Sequence, residues 1–146
     1  MLVLDENAVR RLLEPAAAVA AIEAAFRRDW LATARMPPRT HLDLPGGGVL
    51  LTMPCSDSVL DAADVKVVTV AGADAPPGER VQAIYCLLDS AGGRPLAFLA
   101  ANWLTDLRTA AVSAVATKFL ARADAPVLDD ACDLRRGERR ENVVHA

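Results

Sequence analysis

Cysteine, histidine, lysine and aromatic residues are all scarce in this 146-residue chain. Its three cysteines, Cys55, Cys86 and Cys132, are far apart and form no CxxC pair. That excludes a disulfide scaffold and reads as reduced thiols of a cytoplasmic protein. Two histidines, His41 and His145, exclude a His-rich metal site. The first residues carry no basic segment followed by a long apolar one, so no signal peptide is expected. No apolar run approaches the roughly 18 residues of a membrane span. P-loop, GxSxG and GxGxxG motifs are also missing. A net charge of −3 and a pI near 5.3 exclude a protein that coats nucleic acid.

What remains is an ordinary globular balance, 53% hydrophobic and 24% charged, in a length that suits one domain. Such a domain buries about two-thirds of its unfolded surface and needs no metal or disulfide to fold. Arginine outnumbers lysine 14 to 2, a bias of the kind GC-rich codons produce.

The periodicity predicts a short apolar start at residues 2–4 and a helix over 5–13 capped by Asp5. A second helix follows from Pro15 to about residue 34, with Val19, Ile22, Ala25, Phe26 and Trp30 on its apolar stripe. Met36-Pro37-Pro38 ends it. Strands are expected at 39–44, 49–53, 65–70, 81–89 and 95–100, the last two as a hairpin. Residues 54–63 read as a loop and 72–78 as a turn-rich connection. Residues 104–121 form the last helix, striped by Leu107, Ala111, Ala114, Val115 and Phe119. The fold class is therefore α+β, with N-terminal helices packed on a mostly antiparallel sheet. Ala125-Pro126-Val127-Leu128 could begin another strand. Half of the next 18 residues are charged, with no apolar period, which predicts a disordered tail over 129–146.

Three cations stand out. Arg39 alternates with His41 and Asp43, either as a solvated outer face or as a fork for a carboxylate or phosphate. Lys66 lies inside Asp64-Val65-Lys66-Val67-Val68-Thr69-Val70, either snorkelling at an edge or entering a polar pocket. The only other lysine, Lys118, falls late in a helix, where a cation suits the dipole. Arg108 falls near the start of the last expected helix, where a cation opposes the dipole. Asp106 could offset it. Alternatively, Arg108, Thr105, Thr109 and free backbone N–H groups converge on an anion. Three cations without a convincing general base suggest a pocket for a small carboxylate.

The segments Met36-Pro37-Pro38-Arg39-Thr40-His41-Leu42-Asp43, Val65-Lys66-Val67-Val68-Thr69-Val70 and Leu104-Thr105-Asp106-Leu107-Arg108-Thr109-Ala110-Ala111 resemble the ornithine cyclodeaminase/mu-crystallin family. The resemblance covers residues 1 to about 128. It implies an NAD(P)-dependent, usually dimeric enzyme acting on amino acids or imines, by cyclising deamination, amino-acid dehydrogenation or ketimine reduction. By the same resemblance, Arg39, Lys66 and Arg108 hold the substrate carboxylate, Lys66 assists catalysis, and Thr109 lies near the cofactor phosphate.

Two departures matter. Arg80 stands before Val81-Gln82, where the family commonly has a cofactor-holding threonine. After residue 128 the family enters a Rossmann strand and glycine-rich turn, whereas here the charged tail follows. The expectation is thus residues 1–128 as the substrate-binding and dimerisation half, cut short by frameshift or gene fragmentation. Its last helix would lead into a Rossmann domain that the sequence lacks, so the chain alone is expected to be inactive and not to bind NAD(P). The expected partners are a small amino or imino acid and a second copy, with no nucleic acid and no membrane. Alternatives are a non-enzymatic module that binds an amino or keto acid, or a non-functional fragment.

Overall fold

A computed structural model describes residues 1–76 and 78–122. The expected tail, its Cys132 and the strand near residue 127 lie outside the described residues. Strand β1 (Leu2–Leu4) leads into helix α1 (Glu6–Leu12), whose first turn is capped by Asp5 Oδ1 accepting from the Ala8 N–H at 2.7 Å. Pro15 opens helix α2 (Pro15–Arg27), where its fixed φ and missing N–H do no harm.

The second helix is shorter than its periodicity predicts. Arg28 is extended, at φ −92° and ψ 158°, and its guanidinium pairs with the Asp57 carboxylate. A four-residue helix α3 (Trp30–Thr33) and a two-residue strand β2 (Ala34–Arg35) follow instead. Trp30 therefore leaves the apolar stripe, and Phe26 remains 58% exposed.

The sheet continues with β3 (Thr40–Asp43), β4 (Val49–Asp57), β5 (Ala62–Val70), β6 (Val81–Asp89) and β7 (Pro95–Ala100). Its order is β1-β7-β6-β5-β4-β2, with β3 also paired to β4. Among the described residues every pairing but β1 with β7 is antiparallel. Long helix α4 (Asn102–Leu120) returns across the sheet.

Most of the loop expected over 54–63 is strand. Pro54 has no N–H to donate, yet it sits within β4 opposite Val65. The other flank of β4 is paired by β3 only through Thr52 and by β2 only from Ser56, so Pro54 falls in the gap between them. The remaining turn is held by Asp57 Oδ1, which accepts from the Val59 and Leu60 N–H groups at 2.9 and 3.4 Å. Glycine matters where two loops touch. A Cβ on Gly48 would lie 2.6 Å from the Val70 carbonyl oxygen, and one on Gly72 equally close to that of Gly46.

The two faces of the sheet differ. The helix-facing side packs Val68 and Ala83 with Ala101, joined by Leu51, Met53, Tyr85 and Leu104. Beside this, Val9, Trp103 and Leu107 form the core between α1, α4 and β7, with Leu4 and Leu99. Residues one step out of phase point the other way. There Val3, Leu42, Ile84 and Phe98 remain 72, 59, 40 and 37% exposed. No helix among the described residues is long and apolar enough to cross a membrane.

Candidate anion site

Lys66 lies at the middle of β5, half-buried, in phase with Val68 and therefore on the helix-facing side. Arg108 projects from α4 and is exposed. Burial, and then the guanidinium of Arg108, hold the Lys66 ammonium below the usual lysine range, while Asp64 acts in the opposite direction. Among the described residues neither Lys66 nor Arg108 has an ion-pair partner, whereas Arg27, Arg28, Arg94 and Lys118 each have one. Two cations thus lie near one another, one of them half-buried, and they repel each other.

The start of α4 is not open to an anion. The helix begins at Asn102 rather than Leu104, so Arg108 stands in the second turn, past the end where the dipole would oppose it. The helix end is occupied by the chain itself. Glu6 of α1 accepts from the Trp103 N–H at 2.6 Å, 97 residues away in sequence. Asn102 Oδ1 accepts from the Ala83 N–H at 2.7 Å, and its Nδ2 donates to Gln82 at 2.9 Å. Arg108 stands one turn further along the helix.

Thr109 follows Arg108, and its hydroxyl donates to the Thr105 carbonyl at 2.7 Å. The Thr105 hydroxyl is buried and has no hydrogen-bond partner among the described residues. Arg39 directly precedes β3 and is exposed. Thr40 pairs with Thr52, so the register sets Arg39 on the row of Met53 and Lys66. Among the described residues it has no ion pair. The structure joins Lys66 and Arg108, while Arg39 shares only their side of the sheet. His41 and Asp43 bond to each other at 3.0 Å and are exposed, as a solvated outer strand would be. Arg80 closes its own loop, donating to the Ala73 and Ala75 carbonyls at 2.7 and 3.3 Å.

Asp64 and Tyr85 are neighbours of Lys66 that sequence reasoning does not single out. Period-2 counting from Lys66 reaches Asp64, but only the β5–β6 register brings Tyr85 opposite Lys66. The Tyr85 phenol donates to the Asp64 carboxylate. Burial pushes both groups up, Asp64 against the opposing pull of that hydrogen bond.

Comparison with known proteins agrees with this fold. The chain is 34% identical to a Δ1-pyrroline-2-carboxylate reductase of Bacillus cereus, over all of this chain and 45% of the reductase. The Thermococcus litoralis Δ1-pyrroline-2-carboxylate reductase, solved with NADH and L-proline, superposes with a TM-score of 0.78 at 33% identity. That match covers 86% of this chain and 39% of the other. An archaeal alanine dehydrogenase dimer with bound NAD gives 0.77 at 33% identity, covering 86% of this chain and 38% of its own. The chain spans under half the length of these relatives. Residues 1–129, which include the cation-bearing strand and helix, match the profile of one family, and the chain belongs to that family, the ornithine cyclodeaminase/mu-crystallin family.

Proposed function

We propose that this chain supplies the substrate-carboxylate site and the dimer surface of an NAD(P)-dependent enzyme acting on an amino acid or its imine. The observation that carries this reading is the pair Lys66 on β5 and Arg108 on α4, which repel each other and have no ion pair among the described residues. A carboxylate between them offsets both the repulsion and the desolvation of Lys66. Arg39 completes the clamp from the edge strand. Lys66, the most buried of the three cations, lies against the reacting end of the substrate and is the catalytic residue. L-Proline and NADH in the Thermococcus relative support this substrate and cofactor class.

The cofactor finds only an edge here. The partnerless Thr105 hydroxyl, with Thr109 beside it, suits one phosphate oxygen. A pyrophosphate needs several N–H groups of a glycine-rich turn between strand and helix. The glycines at 46–48 and 92–93 instead serve turns between strands. The described residues do not fit a dinucleotide by themselves, and the 146-residue chain is expected to show no NAD(H)-dependent turnover. Pyruvate or L-proline should nevertheless bind it saturably in calorimetry. Arg108→Ala should weaken that binding by about 1.5–3 kcal/mol, the range for a hydrogen bond to a charged group. Unchanged affinity would remove Arg108 from the clamp.

Pairing of two copies is supported by the bare sheet face, where Val3, Ile84 and Phe98 lie in the open. The archaeal alanine dehydrogenase is a dimer. Sedimentation at tens of micromolar should show a dimer that Phe98→Asp converts to monomer. A monodisperse wild-type monomer would overturn this role for the face.

A further inference from the structure

One charged group in the site has no part in holding a carboxylate. Asp64 precedes Lys66 by two residues on β5, so both side chains leave the same face, about 7 Å apart along the strand. Asp64 is half-buried, and among the described residues it has no ion pair. It is also not left to swing. Tyr85, directly across from Lys66 on β6, holds the carboxylate with its phenolic hydrogen. Cys55 lies opposite Asp64 on β4 and adds no second negative charge there, since burial and the two neighbouring aspartates favour its neutral thiol. One face of the sheet therefore presents two cations and, one step along the strand, a fixed carboxylate.

A ligand carboxylate seated at Lys66 and Arg108 brings a second negative charge close to Asp64. A ligand without a cation of its own meets repulsion there. A ligand that carries a cationic nitrogen beside its carboxylate instead places opposite charges together at both ends. We propose that Asp64, braced by Tyr85, is a specificity-determining residue that accepts the cationic nitrogen of the ligand, selecting zwitterionic amino or iminium acids over plain carboxylates. The assignment rests on the carboxylate site proposed above. It adds a recognised atom, the ligand nitrogen, and a residue for it. Tyr85 supports the role through its own chemistry. Burial and the adjacent Asp64 push its phenol up, so it remains a hydrogen donor rather than a competing anion.

The test compares two rings of the same size, L-proline and cyclopentanecarboxylate, titrated into the full 146-residue chain and followed by amide chemical shifts. Wild type should bind L-proline about 10-fold or more tightly than cyclopentanecarboxylate, the scale of one charge-assisted contact. Asp64→Asn, which keeps the side-chain shape, should erase the preference while leaving cyclopentanecarboxylate bound as well as before or better. Tyr85→Phe should erase part of it, because the carboxylate remains but is no longer held. An unchanged preference in Asp64→Asn would overturn the proposal, as would equal binding of the two rings by wild type. Binding of neither ring by wild type, together with no binding of cyclopentanecarboxylate by Asp64→Asn, would overturn the carboxylate site itself, and the role of Asp64 with it. The plain acid reports the clamp, and the difference between the two acids reports Asp64.

Discussion

Lys66→Met should lose carboxylate binding by about 10-fold or more, the consequence of removing one charged hydrogen bond, and yet melt higher than wild type. Methionine fills the space of the lysine stem on the face shared with Val68 and Met53. It also removes a half-buried cation that faces Arg108. A gain of about 2–4 °C would correspond to about 1 kcal/mol for a domain of this size. The sign with pH follows from the lowered position of Lys66. Without ligand, the folded chain releases this proton at lower pH than the unfolded chain does. Between those two values the unfolded state binds more protons, so unliganded stability rises with pH. Carboxylate affinity falls over the same rise, because the charge that holds the ligand is leaving. Both slopes should vanish in Lys66→Met. A variant that melts lower and binds normally would show that Lys66 is a packing residue.

Asp57→Ala should be the most damaging single change outside the core. Asp57 is 8% exposed and carries three duties: the ion pair with Arg28 and the two N–H groups of the 58–61 turn. Alanine leaves the Arg28 guanidinium half-buried without its counter-charge and the turn without its acceptor. Loss of a pair of this kind, discounted for the exposed part of Arg28, amounts to about 2–4 kcal/mol. That is a large share of the roughly 5–15 kcal/mol that holds a domain together. The urea midpoint should fall with an unchanged slope. Asp57→Asn, which retains a turn acceptor but not the charge, should fall part of the way. A midpoint shift within error for Asp57→Ala would mean that Arg28 finds solvent without penalty.

Asp57 also shows what is legible in the sequence and what is not. The α+β class, the long final helix, the 81–89/95–100 hairpin and the Asp5 cap all follow from local signals, and the structure has each of them. The end of α2 does not follow from local signals. Nothing near Arg28 forbids helix, and its partner lies 29 residues away. Pro54 and Asp57 read as loop because proline and aspartate usually do, yet Pro54 falls in the gap between two short flanking strands and Asp57 ends β4 opposite Ala34, holding the turn that follows. The site divides in the same way. Lys66 and Arg108 stand out as unusual charges, one in an apolar strand and one beside a helix start. Helix α4 starts two residues earlier than its own sequence suggests because Glu6, which caps it, comes from the other end of the domain. Tyr85 is invisible in the sequence because register is a property of two strands, not of one.

The long reach between the chain's beginning and α4 has a consequence for how the molecule is made. Residues 2–4 pair in parallel with residues 97–99, and Glu6 meets Trp103. On a ribosome the first dozen residues emerge long before their partners exist. The hairpins from β4 to β7 can form in passing, since their pairs are close in sequence. Strand β1 must wait, with Leu4 and Val9 uncovered, until residues through Leu107 have left the exit tunnel. At about 5–20 residues per second that delay lasts several seconds. During this interval the opening segment is what a chaperone would hold, and β6, until β7 is made, is an open edge. Completion of the core is thereby timed by synthesis of its last helix.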